Sequence, residues 1–225
     1  MTERWFTGLQ SGALAVLPID FTEREKQTMT EIMRFAQDPM NKDRELMHCL
    51  DAHGSVLHGV SDGVKGAPIT PTMEKVIHAG HGVRLWHNHP SQQSLSDYDW
   101  NCASACSQLE ILAMNESGSI FVGRIPYWQD GYERVIENFR KIATDLEFKL
   151  SRLAKEGKLE IGIEIALTEL TGHVLNLAMK ASGLVFYAHW LSYSDQMVFD
   201  AATRKGVVDP AIAFASGEIQ SVLGS

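Results

Sequence analysis

The stretch Val83-Arg84-Leu85-Trp86-His87-Asn88-His89-Pro90 decides how the middle of this chain folds. Residues 83–87 are mostly apolar and predict a buried β-strand, which must end at Pro90 because proline cannot donate a hydrogen bond to a sheet. Side chains two residues apart on a strand point to the same face, so the imidazoles of His87 and His89 can reach one ion. The sequence therefore predicts a pair of metal ligands at a strand end.

A carboxylate follows the two histidines in the segment Ser96-Asp97-Tyr98-Asp99. Two histidines and one carboxylate leave a fourth position open for water, which is typical of a catalytic zinc ion rather than a structural one. Ser96 and Asp99 also have capping-box spacing, so we expect a helix over residues 96–109. In a competing register, Ser94-Leu95-Ser96-Asp97, the ligand is Asp97 instead of Asp99.

The first part of the chain alternates strand and helix patterns, which indicates a mixed α/β fold. Thr22 and Glu25 resemble a capping box that starts a helix ending near Gln37, and Pro71 starts another helix that ends before Gly80. Strands are predicted over residues 13–17, 45–50, 55–60, 83–87, 111–114 and 119–123. The second and third of these strands form a hairpin.

After about residue 130 the pattern becomes helical. Apolar residues recur at helical spacing over residues 135–153 and 163–177, with Glu156-Gly157-Lys158 between the two runs, which predicts an antiparallel helical hairpin. A third helical stretch is expected over residues 184–205, and a short last helix from Asp209-Pro210. We therefore expect an α/β domain over residues 1–130 and a helical extension over 131–225. The extension packs on the α/β domain, or forms a homodimer or a platform for a partner.

Composition excludes some classes of function. The chain has 225 residues, 44% of them hydrophobic, and a formal net charge of −8, which argues against nucleic acid as the main partner. The three cysteines, Cys49, Cys102 and Cys106, form no disulfide framework, so we expect a reducing compartment such as the cytoplasm. No signal peptide and no membrane insertion are expected.

Three segments together resemble the JAMM (JAB1/MPN/Mov34) metalloprotease family, including its bacterial RadC-like members. They are Glu45 near the start of an early strand, His87-Asn88-His89-Pro90 at the end of a later one, and Ser96-x-x-Asp99 at the start of the next helix. The resemblance spans residues 40–125 and implies a JAB/MPN-like mixed sheet flanked by helices. Six residues separate His89 from Ser96, one fewer than is usual in that family, and we interpret this difference as a shorter loop.

The resemblance also implies a role for each residue of the motif. His87, His89 and Asp99 would bind Zn²⁺, Glu45 would act as general base toward a water, and Ser96 would stabilise the oxyanion. The implied reaction is hydrolysis of a peptide or isopeptide bond, with a ubiquitin-like protein or peptide as substrate and the cut at the modifier's C-terminus. Inactive members of the same family imply the alternative, a scaffold or binding module.

Several residues keep competing interpretations. Glu45 is either the base or a solvated carboxylate, with Glu74 and Asp51 as its nearest substitutes. Cys102 and Cys106, four residues apart, either bind a second metal or pack a helix. Two histidines and one carboxylate also suit iron, manganese or cobalt. The remaining histidines are expected to be structural or solvated, and Trp86, Trp100 and Trp128 to lie in the core.

Overall fold

The computed structural model describes residues 21–64, 66–80, 82–90, 93–105, 108–127 and 129–224. A six-stranded sheet runs through them in the order β2-β1-β3-β4-β5-β6. Strands β3 and β4 are parallel, and the other neighbours are antiparallel. The strands are β1 (Arg44–Asp51), β2 (Leu57–Val64), β3 (Val83–Asn88), β4 (Leu109–Met114), β5 (Ile120–Arg124) and β6 (Phe186–Trp190). The predicted mixed α/β fold and the β1–β2 hairpin are confirmed, while the strand predicted at 13–17 lies outside the described residues.

Helices cover both faces of the sheet. They are α1 (Glu23–Gln37), α2 (Pro71–His78), α3 (Asp97–Ser104), α4 (Tyr132–Glu137), α5 (Phe139–Glu156), α6 (Ile161–Glu169), α7 (Thr171–Ala181), α8 (Tyr193–Arg204) and α9 (Val208–Gly224). The predicted start of α1 is confirmed, because Thr22 Oγ accepts the Glu25 N–H at 3.1 Å while the Glu25 carboxylate accepts the Thr22 N–H at 2.9 Å. A cap of this kind contributes about 1 kcal/mol.

Two hydrophobic layers lie on opposite sides of the sheet. Trp86 packs on the side of α1, in a layer with Met29 and Ile32. Leu85 belongs to the other layer, which the helices after α1 cover. Because alternate residues of a strand face opposite sides, His87 points to the same side as Leu85. The predicted metal ligands therefore face the C-terminal helices.

The region after residue 130 differs from the predicted helical hairpin. Its first part consists of four helices, α4 to α7, although the predicted turn at Gly157 and Lys158 is present between α5 and α6. Residues 184–192 are not helical, because Phe186–Trp190 forms β6 and pairs with β5. Aromatic side chains favour a strand here, and β5 supplies the free edge. The last helix, α9, has 17 residues and is not short.

Residues after 130 are thus more than a helical extension. Strand β6 and helices α4 to α9 share one hydrophobic layer with β3 and β4. The domain boundary near residue 130 stays a prediction. The homodimer also stays a prediction; Phe148, Ile161 and Ile165 are exposed apolar residues on α5 and α6 that such an interface could use. Across the described ranges, no helix combines the length and apolar character that crossing a bilayer would need.

Helix α3 is shorter than predicted. It ends at Ser104, and Leu109, which we expected in the helix, is the first residue of β4 and pairs with Val83. The parallel pairing of β4 with β3 needs an extended backbone at that point, so the helix cannot continue through it.

Candidate metal centre

The end of β3 presents the two predicted histidines. The backbone N–H of His89 donates to the Met114 carbonyl at 2.8 Å, so contact with β4 continues one residue beyond the strand before Pro90 ends it. His87 and His89 are both buried. Their Nε2 atoms lie 2.9 Å apart, which is the convergence that the two-residue spacing predicts.

The N-terminus of α3 brings Asp99 to these histidines. Ser96 is the N-cap residue, and its Oγ accepts the Asp99 N–H at 3.3 Å. In return, Asp99 Oδ2 accepts both the Ser96 N–H and the Ser96 hydroxyl at 2.7 Å. The capping box thus holds the Asp99 carboxylate on the inner side of the helix, where it is buried.

The three side chains form a compact triangle. Asp99 Oδ1 lies 3.1 Å from His87 Nε2, and Asp99 Oδ2 lies 3.2 Å from His89 Nε2. Ligand atoms bound tetrahedrally to zinc at about 2.0–2.1 Å would be about 3.3–3.4 Å apart, so only a slight expansion is needed to accept an ion. A buried group of His87, His89 and Asp99 can therefore hold a metal ion.

The Nδ1 atoms of His87 and His89 differ in their hydrogen-bond partners. His89 Nδ1 lies 3.3 Å from the Gln93 carbonyl oxygen, and a hydrogen bond donated by Nδ1 to this oxygen leaves Nε2 free to bind a metal. His87 Nδ1 is buried and has no hydrogen-bond partner among the described residues. Only His89 thus has the outer contact that usually orients a metal-binding imidazole.

Charges at the centre favour an ionised carboxylate. Burial raises the pKa of Asp99, but the neighbouring charges of His87 and His89 outweigh it and hold this pKa well below its usual range. Burial lowers the pKa of His89, yet the carboxylates of Asp99 and Glu45 leave it above its usual value. Asp99 is therefore in the form that binds cations, whereas the raised pKa of His89 makes any proton on its ring harder for a metal to displace.

Glu45 lies on the same side of the sheet as the histidines. Strand β1 pairs Met47 with His87, and Glu45 is two residues before Met47, so its side chain shares that face. Glu45 lines a cavity of about 1100 Å³ together with His89, Ser96 and Asp99. The structure thus brings all five predicted site residues to one place.

The competing candidates make other contacts, although Asp97 lines the same cavity. Asp97 Oδ2 accepts a hydrogen bond from Arg140 Nε at 2.8 Å, outside the histidine pair. Asp51 accepts the N–H groups of Ser55 and Val56 in the β1–β2 turn. Glu74 lies 3.8 Å from the exposed His78 on α2. The geometry therefore favours Asp99 and Glu45 over these alternatives.

Among the described residues, neither Cys102 nor any other histidine joins His87, His89 and Asp99 in this centre. Cys102 is a free thiol whose pKa burial raises to about 11, so it is protonated at neutral pH. Cys106 lies outside the described residues, and a second metal on this pair stays untested. Burial also lowers the pKa values of His48, His173 and His189, which keeps these side chains neutral.

The sequence did not reveal the far wall of the cavity. Residues from α5 and from the α6–α7 junction line it, among them Arg140, Thr144, Glu147, Thr168 and Gly172. No local motif marks them, because they reach the centre only through packing of the C-terminal helices. Asn176 on α7 was also missed, although an amide among apolar helix residues was a usable signal.

Comparisons with protein-family models, with curated proteins and with solved structures found no significant match for this chain. The JAMM resemblance therefore stays a prediction that depends on the motif residues and their geometry alone.

Proposed function

We propose that this chain is a zinc-dependent hydrolase of peptide or isopeptide bonds. The observation that carries the proposal is the convergence of His87 Nε2, His89 Nε2 and the Asp99 carboxylate within 3.2 Å of one another, beside a cavity that Glu45 also lines. Three protein ligands next to a solvent-accessible space are typical of catalytic rather than structural zinc.

Each residue then has a distinct task. A bound zinc ion would act as a Lewis acid that polarises the scissile carbonyl and lowers the pKa of a water. The Glu45 carboxylate accepts a proton from the attacking water and returns it to the leaving amine. The backbone on either side of Glu45 is fixed to β3, so the carboxylate is held beside the cavity rather than on a mobile loop.

Ser96 has two tasks in this scheme. Its hydroxyl donates to Asp99 Oδ2, which orients the carboxylate toward the histidines. The Ser96 N–H makes a second bond to the same oxygen at 2.7 Å, so the hydroxyl can turn toward a substrate oxyanion while the N–H still holds Asp99.

The cavity has room for a stretch of polypeptide substrate, since its volume is about 1100 Å³. The JAMM resemblance supplies the narrower class, a ubiquitin-like protein cut at its C-terminus.

The free thiols of Cys49 and Cys102 fit a reducing compartment, which supports a cytoplasmic location for this activity.

Cleavage of a ubiquitin-like protein fused to a reporter tests the proposal. The wild type with zinc should release the reporter, and chelation should stop it. Glu45→Gln should bind zinc as the wild type does and lose at least about 100-fold in kcat. Glu74→Gln, on exposed α2, is the matched control and should remain active. Zinc binding with no cleavage by the wild type would instead favour the scaffold alternative.

A further inference from the structure

One buried amide on α7 fastens the segment that carries Ser96 and Asp99. Asn176 Nδ2 donates to the Leu95 carbonyl at 2.8 Å, and Asn176 Oδ1 accepts a hydrogen bond from Trp100 Nε1 at 2.8 Å. Leu95 precedes Ser96 and Trp100 follows Asp99, so the amide is hydrogen-bonded to both ends of the segment. Asn176 has no exposed surface.

The chemistry of its partners fixes the orientation of this amide. The Trp100 indole can only donate a hydrogen bond and the Leu95 carbonyl can only accept one, so Oδ1 must face the indole and Nδ2 the carbonyl. The second Nδ2 proton goes to Ser94 Oγ at 3.1 Å. Every hydrogen-bonding group of the amide except one oxygen lone pair is therefore used on residues 94–100.

A chain of hydroxyl groups continues from this contact. Ser94 Oγ, which accepts from Asn176, also lies 2.6 Å from the Tyr187 hydroxyl on β6, and these two hydroxyl groups share a hydrogen bond. The Tyr187 hydroxyl also shares a hydrogen bond with His173 Nδ1 on α7, at 2.8 Å. Burial and the nearby charge of His189 hold the pKa of His173 well below its usual value.

Packing against the apolar residues beside Asn176 does not require an amide at this position. Val174, Leu175, Ala178 and Met179 are buried apolar residues close to it on α7, while the other two buried residues of this helix, Thr171 and His173, are polar. A buried polar group is costly unless its hydrogen bonds are satisfied. Here the bonds to Ser94, Leu95 and Trp100 end on the short segment that carries Ser96 and Asp99, and the amide also contacts the Tyr187 hydroxyl.

We propose that Asn176 is a positioning residue for the metal centre. It holds residues 94–100 against the C-terminal helices, so that Asp99 lies at the distance from His87 and His89 that one ion requires. The inference rests on the proposed metal centre but not on cleavage of any substrate. Through Asn176, the helices after residue 130 become part of the site.

Cobalt titration of the metal-free protein tests this role, because the visible spectrum of bound Co²⁺ reports the geometry of its ligands. Asn176→Ala should bind cobalt about 10–100-fold more weakly than the wild type and with an altered spectrum. Val174→Ala is the matched control, since it truncates a buried residue of the same helix without removing a hydrogen bond. It should lower the melting temperature and leave cobalt affinity unchanged.

A second variant covers the case in which Asn176→Ala does not fold. Tyr187→Phe removes only the hydroxyl that holds Ser94 and should weaken cobalt binding several-fold. Wild-type affinity and spectrum in Asn176→Ala, or in Tyr187→Phe where that variant alone folds, would overturn the inference. So would an equal loss of affinity in Val174→Ala.

The outcomes for the two proposals can be separated. If the wild type binds cobalt but cleaves no fusion, hydrolysis fails while the affinity series still decides the role of Asn176. If the wild type binds no cobalt, the metal centre fails, and the positioning role that rests on it fails with it.

Discussion

Asn88 binds the backbone of Leu46 across the junction of β3 and β1, with its Oδ1 accepting the Leu46 N–H at 2.7 Å. Its Nδ2 donates to the Arg44 carbonyl at 3.0 Å. Arg44 and Leu46 flank Glu45 on β1. The residue between the two histidines therefore fixes the backbone of the proposed base, and couples it to the strand that carries two proposed metal ligands.

Asn88→Ala should reduce kcat strongly and leave zinc affinity nearly unchanged. The variant frees the backbone around Glu45, and a shift of about 1 Å in a catalytic group can cost about 100-fold in rate. His87 and His89 keep their pairing with β4. Fusion cleavage and zinc titration measure the two effects, with Asn138→Ala as a control, because the Asn138 side chain donates to the Arg134 carbonyl at the end of α4. A wild-type kcat in Asn88→Ala would remove Asn88 from this role.

Asp99→Asn should weaken zinc binding far more than Asp97→Asn. Asp99 contacts both histidines, whereas Asp97 contacts Arg140, whose side chain is 83% exposed. An exposed ion pair contributes about 0–1 kcal/mol, so losing the Asp97 pair should hardly change either stability or affinity. Calorimetric titration of both variants gives the order, and the reverse order would show that Asp97 is the ligand.

His89→Ala should abolish stabilisation by zinc. An ion present at about 100 times its Kd adds about 2.7 kcal/mol to the free energy of unfolding, or roughly 5–10 °C in Tm for a protein of this size. Thermal denaturation with zinc and with chelator measures the shift. His78→Ala, a change at an exposed histidine of α2, should retain it. Equal melting temperatures with and without chelator in the wild type would mean that no bound ion stabilises the loop between His89 and Ser96.

Stability should fall in mild acid because of His189. Burial, and to a smaller extent the charge of Lys180, lowers the pKa of His189 to about 4. Free histidine has a pKa near 6.5, so between about pH 6.5 and pH 4 the unfolded chain binds a proton that the folded protein does not. The free energy of unfolding therefore decreases as the pH falls through this range. Urea denaturation in chelator should show a smaller decrease for His189→Gln, and an equal decrease would contradict this origin.

Local patterns predicted the parts of the fold that local physics determines. The capping boxes at Thr22 and Ser96 and the strand that ends before Pro90 depend on residues within a few positions of one another. The same locality explains why the candidate metal ligands were predictable. Their convergence needs only one strand, one short loop and one helix N-terminus.

Long-range contacts explain what the sequence did not reveal. Strand β6 forms because it can pair with the edge of β5. The sequence alone predicted a helix there, because the residues around β6 are apolar. Leu109 leaves the predicted helix because it pairs with Val83. Asn176 reaches Trp100 from 76 residues away, so nothing near either residue in the sequence predicts their contact.

Anomalous diffraction at the zinc edge, from crystals of the intact protein grown with zinc, tests the central claim most directly. We predict one strong peak bonded to His87 Nε2, His89 Nε2 and a carboxylate oxygen of Asp99, with its open side toward the cavity that Glu45 lines. A map with no peak between these three side chains, or with zinc bound only elsewhere, would contradict the account.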